Sequence, residues 1–234
     1  MRYLDPKSDL VFKRVFGEHA NILISFLNAL LPLREDQVIE KIDYLPTELL
    51  PEIPISKNSI VDVSCQDNYG RQFIVEMQMI WSDKFTSRML YNASKTYVKQ
   101  LDIGAVYKKL MPVYALALVN EKFEKDNDEF YHHYQFTHQS ILEKKLDNIH
   151  LIFVEIPKFK SYNFSQRKLM VLWLRFISET KPALYNRTFY YGFNWLQNKA
   201  LRLISFSHRR RDYGSFTKSL ILSPLKPSLR NSIV

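Results

Sequence analysis

SIVDVSCQDNYGRQFIVEMQMI, residues 59 to 80, alternates apolar and polar residues on both sides of a short break. Period two on either side of a turn is the pattern of a β-hairpin with one buried face. The break is Asn68-Tyr69-Gly70, with Gly70 where a three-residue loop needs a positive φ. That loop sets Asp67 against Arg71, and counting outward sets Asp62 against Glu76. Val61, Val63, Cys65, Phe73, Val75, Met77 and Met79 then share the core face. Asp62, Ser64, Glu76 and Gln78 share the other, with Ile60 and Ile74 beside them. Carboxylates directly across a strand pair repel each other, and apolar neighbours raise the cost. A hard divalent cation held between them would remove the repulsion.

Asp62, a short hairpin and then Glu76-Met77-Gln78 resembles the D…(D/E)-x-K core of the PD-(D/E)XK nucleases, with Gln in the place of Lys. LDPKSDLVFKRVFG (4–17), ILISFLNALLPL (22–33), HLIFVEIPKF (150–159) and the WLRF that starts at Trp173 narrow the likeness. Together they resemble the recombination-promoting nuclease, or PD-(D/E)XK transposase, family over about Tyr3 to Thr180. The resemblance implies a restriction-endonuclease-like α/β core, a mixed sheet flanked by helices. It also implies a Mg²⁺-dependent (or other divalent-cation-dependent) DNA endonuclease linked to recombination or transposition. Asp62 and Glu76 would be metal ligands, the backbone carbonyl of Met77 a third, and Gln78 would position the water. Asp9, an acid of the first helix, would approach the same site. The partner is DNA, no membrane is expected, and a homo-oligomer is left open. A function of another class also fits: a catalytically inactive DNA-binding or interaction module on the same fold. Cleavage that vanishes with EDTA separates the two.

Composition sets the outer bounds. A chain of 234 residues, 46% hydrophobic and 14% aromatic, can bury a substantial core and does not read as disordered. Its single cysteine, Cys65, excludes a disulfide framework or cysteine-rich zinc site within one chain and fits a reducing cytoplasm. No basic segment followed by an apolar run opens the sequence, so no secretory leader is expected. The longest apolar run, Ile22 to Leu33, is short for a membrane span and carries Asn28.

The net charge of +9 is unevenly placed. Residues 181–234 hold ten of the 33 Lys and Arg but only one of the 24 acids, Asp212, so residues 1–180 are neutral overall. The expected organisation is a nuclease-like domain over 1–180 and a basic, atypical tail over 181–234. The tail reads either as a DNA-gripping arm centred on His208-Arg209-Arg210-Arg211 or as the product of a shifted reading frame, and the latter is favoured.

Along the chain, Ser8-Asp9 precedes a helical spacing of Leu10, Val11, Phe12, Val15 and Phe16, and a second helix is expected from Ala20 to Leu31. Pro46, Pro51 and Pro54 mark an irregular connection into the hairpin. Asp83 to Leu101 has a helical stripe of Phe85, Met89, Leu90, Ala93, Tyr97, Val98 and Leu101. Lys84, Arg88, Lys95 and Lys99 lie largely off that stripe and are candidates for contacting DNA phosphates, although a solvated face is the simpler reading. VYALALVN after Pro112 reads as a strand buried on both faces. Residues 121–135 read as a surface loop or hairpin tip, with His132, His133 and His138 as loop histidines. LIFVEIPKF is another strand, in which Glu155 has no assigned role, and Ser165 to Ser178 is an amphipathic helix. No Ser-His-Asp set, P-loop or dinucleotide fingerprint is visible.

Overall fold

The computed structural model describes residues 5–49, 59–102, 104–160 and 168–178. The chain divides into two compact units, Met1–Phe193 and Asn194–Val234, and every described residue lies in the first. The tail expected from 181 onward therefore falls outside the described residues.

Two consecutive apolar stretches make α1 (Asp9–Gly17) and α2 (Ala20–Leu30). Ser8 occupies the N-cap position of α1, where its backbone carbonyl accepts from Phe12 N–H at 2.9 Å. The chain then lays down β1 (Ile42–Tyr44), β2 (Glu48–Leu49), β3 (Ser59–Ile60), β4 (Val63–Asp67) and β5 (Gln72–Gln78). Next come α3 (Asp83–Val98), β6 (Val113–Val119), β7 (Tyr131–His138), β8 (Ile141–Glu155) and α4 (Lys168–Ser178). The six-stranded sheet runs β1-β4-β5-β6-β8-β7, while β2 and β3 pair separately. Pairings β5–β6 and β6–β8 are parallel and the rest antiparallel, which makes the mixed α/β sandwich that the order of elements predicts.

One face of the sheet presents Val63, Cys65, Phe73, Val75, Leu116, Leu118, Ile152 and Val154 to the helices α1, α2 and α4. Phe12, Phe16, Phe26 and Trp173 interlock there, with ring centroids 4.5–5.9 Å apart, and Trp173 Nε1 donates to Ser25 Oγ at 3.2 Å. The other face presents Ile74, Ala115, Ala117, Val119, Leu151 and Phe153 to Phe85, Met89 and Ala93 of α3. The small alanines of β6 let the helix approach closely. Every residue of β6 is buried, as its unbroken apolar run requires.

The hairpin register is the one its turn predicts. Val63 pairs with Val75 and Cys65 with Phe73, the Asp67 N–H donates to the Arg71 carbonyl at the turn, and the ladder stops at Val63, one residue short of Asp62. Gly70 has φ +81°, and its N–H donates to Asp67 O at 3.0 Å. Asp67 locks the turn. Its Oδ1 accepts from the N–H groups of Tyr69 and Arg71, its Oδ2 from Arg71 Nε at 2.7 Å, and Arg71 Nη2 continues to the carbonyl of Gln37.

Several expectations differ from the fold. The chain bends at Asp62, so Val61 packs with Ile74 on the α3 face rather than with Val63. Met79 lies beyond the end of β5 and is exposed, as are Leu90 and Val98 of the expected α3 stripe. Helix α3 ends at Val98, not Leu101. Residues Tyr131–His138 are strand β7 rather than loop, paired along the long β8.

Candidate functional site

Asp62 stands just before β4 and Glu76 near the end of β5, on the side covered by α3. Glu76 shares its face with Ile74, which is fully buried, and its own side chain is only 6% exposed. Such a carboxylate needs donors. Helix α3 supplies them from successive turns. Arg88 Nη2 donates to Oε2 at 3.1 Å, and Asn92 Nδ2 to Oε1 at 3.0 Å. Arg88 Nη2 also donates to Gln78 Oε1 at 2.8 Å, while the Gln78 amide donates to the carbonyl of Ile80. The Oδ1 of Asn92 is buried and finds no donor among the described residues.

Asp62 is held from two directions. Its Oδ2 accepts the Met77 N–H at 2.8 Å, and Lys13 Nζ of α1 lies 3.4 Å from its Oδ1. Lys13 also pairs with Asp9 Oδ1 at 2.7 Å, one helical turn away. Asp9 thus reaches the neighbourhood of Asp62 through Lys13. Because the N–H and C=O of a strand residue point to the same neighbour, Met77 turns its carbonyl toward the Asp62 side.

Burial pushes the Asp62 carboxyl above its ordinary value, against the Met77 N–H and Lys13, which hold it down. Burial likewise raises Glu76; Arg88 and Asn92 oppose the rise, and the charge of Asp62 adds to it. Glu76 therefore senses the charge of Asp62. The Lys13 ammonium is raised, first by its hydrogen bond to Asp9 and then by the charge of Asp62.

The remaining predicted residues fall along α3. Lys84 and Lys99 are exposed. Lys95 Nζ donates to the carbonyl of Leu49 at 2.5 Å and lies over the Tyr91 ring. Arg88 stacks over Phe85, 4.7 Å from the ring centroid, and turns its guanidinium to Glu76 and Gln78. Sequence reasoning missed Lys13 and Asn92. Their spacing gave a signal that goes unread without the fold: Lys13 is four residues after Asp9, and Asn92 four after Arg88.

A family model of the PD-(D/E)XK nuclease family transposases matches residues 6–212. The chain belongs to that family. No curated protein and no solved structure matches it. The sheet flanked by four helices is the restriction-endonuclease-like form of PD-(D/E)XK proteins. The match continues past Thr180. Among the described residues no group of three or more His, Cys, Asp or Glu converges as a metal cage. Asp62, Glu76 and the Met77 carbonyl, all hard oxygens, would suit a cation that keeps most of its waters. Among the described residues no helix is long and apolar enough to cross a membrane.

The histidines serve elsewhere. His132 Nε2 lies 2.8 Å from Oε1 of the fully buried Glu155, which also accepts from Lys158 Nζ at 2.8 Å and from Phe123 N–H at 2.9 Å. His133 and His150 are 2.9 Å apart, and His150 reaches Asp147 at 2.5 Å. An ionised Asp147 only accepts, so His150 Nε2 donates to it and His150 Nδ1 accepts from His133 Nε2.

Proposed function

We propose that this protein is a divalent-metal-dependent DNA endonuclease that hydrolyses phosphodiester bonds in recombination or transposition. The observation that carries the reading is the Asp62 carboxylate, one residue before β4, accepting from the Met77 N–H beside the buried Glu76. In this reading Asp62, Glu76 and the Met77 carbonyl hold Mg²⁺. The ion, when bound, polarises the scissile phosphate and makes water a stronger nucleophile. The chain's own residues do the rest. Gln78, which both accepts and donates, orients the attacking water, and Asp9 acts through Lys13 on the position of Asp62. Lys84 and Lys99 project from α3 toward solvent, where DNA phosphates are gripped at a salt-dependent cost. The buried, reduced Cys65 suits a cytoplasmic protein.

The test is nicking of supercoiled plasmid by purified protein with Mg²⁺ or Mn²⁺, with and without EDTA, for wild type, Asp62→Asn and Glu76→Gln. Cleavage in the wild type alone, abolished by EDTA, is expected. Equal cleavage by all three would remove this site from the reaction. DNA binding without cleavage in any metal would favour an inactive binding module.

A further inference from the structure

The motif position that would carry a lysine carries Gln78, so the strand itself places no positive charge beside Glu76. The charge is nevertheless there. A single nitrogen, Arg88 Nη2, bridges Gln78 Oε1 and Glu76 Oε2 at 2.8 and 3.1 Å. We propose that Arg88, delivered from α3 and held by Gln78, is the catalytic cation of this site. The inference rests on the nuclease reading above.

Three observations favour this over the simpler roles of an arginine on a helix. A pure anchor for Glu76 is not needed from a half-exposed side chain, because buried Asn92 already donates to the other carboxylate oxygen. A free phosphate-gripping arm would point to solvent, as Lys84 and Lys99 do, whereas the Arg88 guanidinium folds back over Phe85 onto two motif residues. The side chain is also 50% exposed, so a phosphate could reach it from solvent. A guanidinium carries five donors in a planar fork, enough to keep Gln78 while engaging phosphate oxygens.

In the reaction a water oxygen bonds to phosphorus while the bond to the departing sugar oxygen breaks. The water gives up a proton to solvent and the departing oxygen takes one from solvent. Negative charge builds on the phosphate oxygens in between, where a fixed cation is worth most. Gln78, besides orienting the water, is then a positioning residue that sets the guanidinium.

Cleavage by Arg88→Met, Gln78→Lys and the double variant, at saturating Mg²⁺, tests this, with thermal melts as folding controls. Arg88→Met should lower kcat by about 10²- to 10³-fold, the usual loss for one charge-stabilising donor, with little change in KM. Gln78→Lys alone sets a second cation against Arg88 and should bring no gain. In the Arg88→Met background the same lysine should recover at least about tenfold of the lost rate, a rescue that a structural role does not give. A readout independent of turnover is Mn²⁺ binding without DNA, followed by electron paramagnetic resonance. Removing the competing cation from Glu76 should tighten Mn²⁺ by about tenfold. A raised KM with kcat intact would make Arg88 a phosphate grip and overturn the inference alone. So would absence of rescue, or Mn²⁺ affinity unchanged or weakened in Arg88→Met. A wild type that cleaves with neither metal would sink the nuclease reading and the inference together.

Discussion

The Met77 N–H donates a 2.8 Å hydrogen bond to the Asp62 carboxylate, so the acid at the start of one strand fixes the backbone beside the acid on the other. The amide oxygen of an asparagine can accept the same bond. Asp62→Asn should therefore melt close to wild type, while Asp62→Ala leaves the Met77 donor without its partner and should cost roughly 1–2 kcal/mol. Both should lose metal-dependent cleavage. Equal melting of the two variants would show that the bond contributes nothing to the fold.

Glu76 gives the metal-free protein a pH dependence opposite in sign to that of an ordinary salt-bridged acid. Its folded-state pKa lies above the usual 4.5, so above that value the folded protein retains a proton that the unfolded chain has released. Stability therefore falls as pH rises through the window that opens at 4.5, and Asp62 acts the same way from 3.8. In EDTA, the difference in stability between wild type and Glu76→Gln should shift in favour of the variant as pH rises through this window. A difference independent of pH would contradict the assignment. The amide cannot accept from both Arg88 and Asn92 as the carboxylate does, so the variant should also carry a roughly constant penalty of about 1 kcal/mol.

His133 pulls the other way. Burial and the neighbouring His150 press its pKa from 6.5 down to about 4, so between those values the unfolded chain binds a proton that the folded protein refuses. Its neutral form supports the fold fully above 6.5, and that support is lost as pH falls toward 4. His133→Gln should cost little at pH 7 and should narrow the acid-side loss of stability relative to wild type. Parallel melting curves for the two proteins from pH 7 to 4.5 would refute it.

Asp67 and Arg71 form a buried pair at the hairpin turn, with Arg71 Nη1 without an acceptor among the described residues. Asp67→Ala strands the guanidinium and removes the acceptor for two turn N–H groups. Loss of about 3–5 kcal/mol is expected, read by urea denaturation. A loss below about 1 kcal/mol would mean that the turn is held by Gly70 and the strand ladder alone.

The Val63–Val75 and Cys65–Phe73 pairs were legible in the sequence because Gly70 and the period-two alternation fix the register by counting. Val61 broke the count, since a bend at Asp62 reverses the side on which it packs. Arg88 was legible as a helix cation but not as a partner of Glu76. That partnership depends on how α3 packs over the sheet, against Ile74, Ala115 and Ala117, which its own sequence does not state. Strand β7 was hidden because YHHYQFTH is only partly buried, carries no regular apolar alternation and follows the charged stretch EKFEKDNDEF. Glu155 and His132 became partners only through the pairing of those two strands.

The register of the β4–β5 hairpin also bears on how the chain finds its fold. A hairpin closes within roughly microseconds, whereas β5 and β6 pair in parallel only after α3 has crossed between them. The hairpin can therefore pair before β6 joins the sheet. A hairpin slipped by one residue would turn Glu76 into the apolar layer beneath α1 and α2 and leave Arg88 facing a methionine. Docking of α3 thus rewards only the correctly paired hairpin, and the acids proofread the assembly of the sheet that carries them.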